Sequence, residues 1–341
     1  MIAAATMTQS TPSSSERVAT YLERTASTPG TRLQELQGDA STRRYVRVIP
    51  PSGRSRMLLV YPEAFDPPSL SFLNVGRLIE KMGIRVPAVA RCDADLGIVE
   101  LEDLGDLTLQ AFLIGATPGE CAERYREAVA IIATMQRRGQ ELESGEYPPF
   151  RLAFDVDKLM WELNFFVDHF LVDARGATLA VRERAELRDE LRPLAAELAD
   201  EPHVFCHRDY HSRNLMVHEE HLYVIDFQDA RMGPNTYDLV SLLRDSYVDN
   251  PMTLVDTMID EYLRLTKTKD AASFRRRFDV MSVQRQLKAL GTFGYQSAVA
   301  GTRRYEDDIP RTLRSLATLF DRHSRFDRLR TLLSFHVTEL G

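Results

Sequence analysis

The sequence predicts an α+β, bilobal chain: a small β-rich N-lobe followed by a larger helical C-lobe. Three observations carry that expectation. The 341 residues suggest two lobes or domains rather than one. Between Leu33 and Leu101, short β-favouring runs are separated by Gly, Asp, Ser and Pro. Beyond residue 107 helical spacing takes over, interrupted by one β-like stretch at 204–228.

Taken in order, residues 1–15 are rich in Ser, Thr and Ala and read as a disordered tail, with Met7 an alternative start. They lack a basic start followed by an apolar stretch, so no signal peptide is expected. Residues 16–27 have helical spacing through Val18, Tyr21 and Leu22. Leu33–Leu36, Tyr45–Ile49 and Met57–Tyr61 read as strands, the first two joined by a tight polar turn from Gly38 to Arg44. Leu70–Met82 reads as a helix that stops at Gly83, and Val86–Val89 and Ile98–Leu101 as two more strands. Glu102–Asp106 breaks the apolar pattern and is taken as a hinge. That places the N-lobe, with nucleotide binding, at 16–103, and the C-lobe, with catalysis and the acceptor, at 104–341. Helices are expected at 107–114, 118–139, 155–174 and 180–199, and from 236 onward with breaks at Pro251 and Pro310.

Composition narrows the function. A net charge of −7 argues against a general electrostatic grip on nucleic acid or anionic lipid. No run approaches the ~18 apolar residues that span a bilayer. Cys92, Cys121 and Cys206 are odd in number and widely spaced, which points away from a disulfide framework or a zinc site. Cytoplasm is the expected compartment, a small molecule the expected partner, and a monomer or weak dimer the expected state.

The chemistry concentrates in His207-Arg208-Asp209-Tyr210-His211-Ser212-Arg213-Asn214 and the later Val224-Ile225-Asp226-Phe227. Asp209 and Asn214 are five residues apart, and Asp226 follows twelve after Asn214. Phosphoryl transfer from ATP needs such a set: one carboxylate to orient an attacking hydroxyl and take its proton, and an amide and a second carboxylate to hold Mg²⁺. The pattern H-R-D-x-x-x-x-N followed by D-F is the signature of the protein-kinase-like fold. Asp209 is the candidate base; alone it would equally read as a loop Asp capping a turn. Asn214 and Asp226 are the candidate metal ligands. An acid at the end of the buried run Leu222–Ile225 is costly without a compensating cation or backbone amides. His207 is expected to brace the loop, and Asp238 to start a helix and accept backbone bonds from that loop. Arg213 either touches substrate or phosphate or is an exposed arginine. Asp229 is left open between a supporting and a solvent-facing role. His207 and His211 would make a metal pair only on one helix face, and the preceding Val204-Phe205-Cys206 argues for a strand.

These residues resemble the aminoglycoside-phosphotransferase/choline-kinase superfamily over about residues 30 to 335. Within it they are most similar to the bacterial anomeric sugar kinases that phosphorylate N-acetylmuramate and N-acetylglucosamine at C1 in cell-wall recycling. The resemblance rests on Gly38-Asp39-Ala40-Ser41-Thr42-Arg43-Arg44-Tyr45 and on Val99-Glu100-Leu101-Glu102-Asp103-Leu104-Gly105-Asp106. His207 through Met216 adds to it, as do Ile225-Asp226-Phe227-Gln228-Asp229-Ala230, Gly233-Pro234, Tyr237-Asp238-Leu239 and the stretch from Arg285 to Phe293. It implies ATP and Mg²⁺, Asp209 as base, Asn214 and Asp226 on the metal, and Glu100 and Leu101 offering backbone groups to adenine. Ser41, Thr42, Arg43, Arg44 and Asp103 join the implied nucleotide site.

Two departures stand out. Only Gly38 remains of a glycine-rich phosphate loop, and Tyr61 occupies the place of the third-strand Lys found in many kinases. Either Arg43 or Arg44 supplies the missing positive charge to the phosphates, or both are solvated turn residues. Glu80, with no such Lys to pair, reads as a helix-surface acid. The acceptor pocket is expected in the C-lobe from Glu162, Asn164, Arg285, Lys288 and Tyr305, each of which also reads as an ordinary helix-surface or intralobe residue. Lys288 or Arg285 would meet the lactyl carboxylate of N-acetylmuramate.

The leading expectation is an ATP- and Mg²⁺-dependent sugar 1-kinase. Its rivals are a phosphotransferase for an aminoglycoside, choline-like amine or homoserine, and a non-catalytic nucleotide-binding module. A protein kinase is disfavoured, because no Ala-Pro-Glu segment follows Asp226 and the next helix begins about ten residues later.

Overall fold

Helix α1 (Ser14–Arg24) starts with a capping box: Glu16 N–H donates to the Ser13 hydroxyl, and Ser13 N–H donates to the Glu16 carboxylate at 2.7 Å. Ser13–Ser15 therefore belong to this helix start and not to a disordered tail. The computed structural model describes residues 13–36 and 43–341. The rest of the expected tail, and Gly38–Thr42 of the expected turn with the nucleotide candidates Ser41 and Thr42, lie outside the described residues.

The chain divides into two compact units: Met1–Leu73 with Val86–Gly105, and Asn74–Arg85 with Asp106–Gly341. After α1, the first unit runs through β1 (Arg32–Leu36), β2 (Arg44–Ile49) and β3 (Arg56–Val60) to the start of α2 (Ser71–Lys81), then β4 (Val89–Asp93) and β5 (Ile98–Glu102). Its described strands form an antiparallel sheet ordered β1-β2-β3-β5-β4. Val18 and Tyr21 of α1 pack on Val46, Val48, Leu58, Val60 and Ile98. The buried Arg17 guanidinium donates to the carbonyls of Leu96 (2.8 Å) and Tyr61 (2.7 Å), fastening α1 to the ends of the strands. Strand β4 starts later than the expected Val86–Val89. Pro87 has no N–H to give a ladder, and pairing begins where Glu102 N–H meets Ala88 O at 2.9 Å.

From Asn74 on, α2 belongs to the second unit. Lys81 Nζ donates to the Tyr147 hydroxyl at 2.7 Å, and Val224 N–H donates to Arg85 O at 2.9 Å. Glu80 is exposed, as expected of a helix-surface acid. The helices that follow are α3 (Leu109–Gly115), α4 (Pro118–Glu141), α5 (Val156–Phe166) and α6 (Val181–Ala199). Strands β6 (His203–Cys206), β7 (Leu215–His218), β8 (His221–Val224) and β9 (Arg231–Pro234) come next. The chain closes with α7 (Tyr237–Leu243), α8 (Met252–Thr266), α9 (Ala271–Ala298), α10 (Asp308–Arg322) and α11 (Asp327–Ser334).

Three features depart from the sequence expectation. The rod at 155–174 is α-helical only to Phe166 and continues as π-helix over Val167–Ala174. Its backbone lies hard against α9, where a Cβ on Gly294 would stand 2.4 Å from His169 O. Strand β9 went unread because its Gly-Pro ending looks like a turn, yet it pairs antiparallel with β6, Cys206 opposite Arg231. Pro310 does not break α10 but sits in its first turn, where its missing N–H has no intrahelical partner to lose. Among the described residues, no helix is long and apolar enough to cross a membrane.

Candidate active site

Strand β6 ends at Cys206, whose side chain is buried as its apolar run implied. The next residues turn sharply: Arg208 has φ +86°, and Asp226 at the far end of the β7–β8 hairpin has φ +62°. Such values are sparsely populated by non-glycine residues and persist only where the surroundings enforce them. Here Asp238, near the start of α7, does so. Its two carboxylate oxygens accept from the N–H groups of His207 (2.7 Å) and Arg208 (3.0 Å). Burial raises the Asp238 pKa, against the opposing pull of His207 and these two donors. The His207 ring is fully buried, and its Nε2 donates to Ile225 O at 2.9 Å, tying the loop to the hairpin. Asp245 adds a further pin, accepting from Ser212 N–H at 2.9 Å.

So braced, Asp209 presents a carboxylate that is a quarter exposed. Lys288 Nζ lies 2.6 Å from its Oδ1, with Arg285 at 3.9 Å, and Arg208 stands 3.9 Å from Oδ2. Burial alone would raise the Asp209 pKa, but Lys288, Arg208 and Arg285 together hold it well below the usual carboxylate range. The group is an ionised hydrogen-bond acceptor. Desolvation pushes the neighbouring His211 down to about 3, so its imidazole is neutral at ordinary pH.

Asn214 Nδ2 donates to Asp209 O at 2.9 Å, which turns Oδ1 the other way. Ile225 N–H donates to Asn214 O at 3.1 Å, closing the hairpin base and setting Asn214 and Asp226 at the same end. Gln228 Nε2 donates to Asp226 Oδ1 at 2.9 Å. An amide oxygen beside a carboxylate is a hard-donor set that fits Mg²⁺.

The remaining candidates divide. Glu162, Arg285 and Lys288 gather beside Asp209. Glu162 is buried, accepting from the Tyr237 hydroxyl (3.2 Å) and Gln284 Nε2 (2.9 Å), and Arg285 Nη1 donates to the Tyr237 hydroxyl at 2.9 Å. Asn164 does not join them: two residues on, about 200° around α5, it faces solvent. Arg213 is held in place, donating to Gln110 (2.9 Å) and Asp308 (3.3 Å) and lying 3.6 Å from the Tyr247 ring centre. It is thus not the exposed arginine considered above. Tyr305 is buried, its ring stacked on Phe293 with centroids 5.3 Å apart. Asp229 is half exposed and pairs with Arg208 at 3.2 Å.

In the first unit, Asp103 is buried against Arg47, 2.8 Å from its Nε. Glu100 and Leu101 sit in β5 with β3 on one side and β4 on the other, and the β4 register shifts between Val89 and Arg91, opposite them. The Glu100 carboxylate also accepts from the Tyr21 hydroxyl and from Arg56, both at 3.0 Å. Arg44 is held by Glu35 through two 2.6 Å hydrogen bonds. Arg43 lies beside Tyr61, whose phenol burial pushes up to about 12.

Sequence reasoning gave no role to Arg208, Tyr237 or Gln284. Arg208 stood in the motif itself, and Gln284 lies one helical turn before Lys288, on its face.

The model of the phosphotransferase enzyme family matches residues 32–275. The chain belongs to that family. It is 32% identical over 304 residues to the N-acetylmuramate/N-acetylglucosamine kinase of Neisseria meningitidis serogroup B, covering 86% of this chain and 87% of the relative. A protein of the same name from Pseudomonas aeruginosa is 32% identical over 315 residues, covering 90% and 89%. Among solved structures, a choline/ethanolamine kinase family protein from Mesorhizobium loti matches with TM-score 0.57 at 17% identity, over 95% of this chain and 99% of that one. That likeness is one of fold, and the α+β architecture agrees with it. The family makes the chain a kinase-type phosphotransferase, with ATP as the phosphoryl donor that such an enzyme uses.

Proposed function

We propose that this chain transfers the terminal phosphoryl group of ATP to the anomeric hydroxyl of an N-acetylated amino sugar, N-acetylmuramate or N-acetylglucosamine. The observation that carries the reading is the braced Asp209 carboxylate standing at the foot of a hairpin that presents Asn214 and Asp226. The 32% identity to two kinases of that name supports the choice of acceptor.

Asp209 accepts a hydrogen bond from the acceptor hydroxyl and takes its proton as the new bond forms between that oxygen and the γ-phosphorus. The bond from γ-phosphorus to the bridging oxygen breaks, and ADP leaves with the electron pair. Asn214 and Asp226 would hold Mg²⁺, which when bound neutralises charge on the phosphates. The chain's own work is orientation: Asp238 and His207 keep Asp209 in place, so little reorganisation is needed when the acceptor arrives. Arg43, beside the Tyr61 phenol, is the candidate for a phosphate contact.

The test is ADP release with product identification over a panel of N-acetylated sugars, choline-like amines and aminoglycosides. Sugar 1-phosphate is expected from the sugars alone. Asp209→Asn should lower kcat by about 10²–10⁴-fold, the usual weight of a positioned general base. An Asp209→Asn protein as fast as the parent, or a parent that turns over amines and not sugars, overturns the reading.

A further inference from the structure

We propose that Lys288, with Arg285 beside it, is the specificity-determining group of the acceptor site: it leaves Asp209 for a carboxylate on the acceptor, and so favours anionic amino sugars over neutral ones. The inference rests on the sugar-kinase reading above and deepens it.

Oδ1 of Asp209 receives Lys288 Nζ at 2.6 Å. An acceptor hydroxyl must donate to that same carboxylate, so the ammonium has to share the base or move. Lysine suits a move, because it is a compact charge on a flexible four-carbon stem with three donors. Moving is favourable only if another anion awaits it, since a buried ammonium without a partner is costly.

The surroundings are built to receive such an anion. Arg208 is matched by Asp229 at 3.2 Å, and Glu162 is taken up by Tyr237 and Gln284. Among the described residues, the carboxylate within 4 Å of both Arg285 and Lys288 is that of Asp209. Lys158 and Arg231 act electrostatically on the same cluster and Asp238 acts on Arg285, so five cations face four carboxylates. A second observation is independent of charge. Arg285 is more than nine-tenths buried, and its Nε–H has no hydrogen-bond partner; the Arg208 Nε–H is likewise without one. Orphaned donors on buried cations are expensive to maintain unless a ligand supplies the acceptor. A carboxylate, with two oxygens and about four lone-pair sites, satisfies an ammonium and a guanidinium together. A neutral hydroxyl or acetamide meets fewer of these needs, and a cationic amine would be repelled.

N-acetylmuramate and N-acetylglucosamine make the direct comparison, because the first carries a lactyl carboxylate and the second does not. The experiment measures kcat/KM for both sugars in the parent, Lys288→Met and Lys288→Arg, together with the dissociation constant of N-acetylmuramate by calorimetry without nucleotide. The quantity read is the ratio of the two kcat/KM values, which does not depend on how much of a variant is correctly folded. Lys288→Met is expected to lower the ratio in favour of N-acetylmuramate by about 10–100-fold, the weight of one hydrogen bond to a charged group. It should weaken N-acetylmuramate binding in step, and Lys288→Arg should restore part of both. Equal loss on the two sugars, with the ratio unchanged, would mean that Lys288 serves the phosphate or the base and would overturn this inference while leaving the sugar-kinase reading standing. A parent that phosphorylates neither sugar removes both.

Discussion

Asp238 offers the sharpest test of how this site is held. Its carboxylate accepts from two consecutive buried N–H groups, His207 at 2.7 Å and Arg208 at 3.0 Å, across the residue with φ +86°. Asp238→Ala leaves both donors without an acceptor. Each buried orphan costs about 1–3 kcal/mol, so the pair is worth about 2–6 kcal/mol. Burial also raises the Asp238 pKa, so part of that loss is returned when a desolvated carboxylate is removed. The net should fall in the lower half, about 2–4 kcal/mol, which for a unit of this size lowers the melting temperature by roughly 4–15 °C. Catalysis should suffer separately. Once Arg208 is free to relax from its strained conformation, Asp209 shifts, and a displacement of about 1 Å costs on the order of 100-fold in turnover. Thermal unfolding by circular dichroism and steady-state ADP release measure the two effects. Asp229→Ala is the control on unfolding: it removes the half-exposed partner of the same Arg208 and should cost under about 1 kcal/mol. If Asp238→Ala melts within about 1 °C of the parent and turns over at the parental rate, the bracing argument fails.

Two further perturbations test the frame around the site. Gly294→Ala would drive a Cβ to 2.4 Å from His169 O and force α9 off the π-helical segment; a loss of about 1–3 kcal/mol in urea unfolding is expected, and an unchanged midpoint would show that the two backbones are not locked together. Asp103 is a buried carboxylate of the first unit whose ionised form the fold favours. Burial opposes its ionisation, but Ser55, the Gly105 N–H and Arg47 outweigh burial and hold the pKa below its ordinary 3.8. A depressed folded pKa means that the contribution is complete above the unfolded value near 3.8 and is lost as pH falls through the lower folded value. Asp103→Asn should therefore be less stable at neutral pH and show a flatter loss on acidification below about pH 4. A variant with the parent's acid slope would assign that slope to other carboxylates.

What could be read from the chain was what depends on local order. Strands β2, β3 and β5 and helices α4, α6 and α8 follow from apolar spacing, caps and breakers, all of which act within a few residues. The Asp209–Asn214–Asp226 set was legible for the same reason: loop and hairpin fix those separations along the chain, whatever surrounds them. The expected support of the loop by Asp238 needed only an acid at the start of the next helix.

Tertiary structure decided what distant residues do to one another. Nothing near Lys288 in the chain says that its ammonium rests on Asp209, 79 residues away, or that Asn164 turns to solvent while Glu162 is buried with Tyr237 and Gln284. That Glu100 and Leu101 lie between β3 and β4 emerges only when the sheet is assembled. Strand β9 was hidden because four residues ending in Gly-Pro carry no β signal until β6 lies beside them. Sequence by itself therefore determined the order and spacing of the groups proposed for phosphoryl transfer, since bonding chemistry and local geometry travel with the residues. The three-dimensional fold alone decided their charge state and their company, because desolvation and Coulomb forces act through space and are summed only when the elements pack.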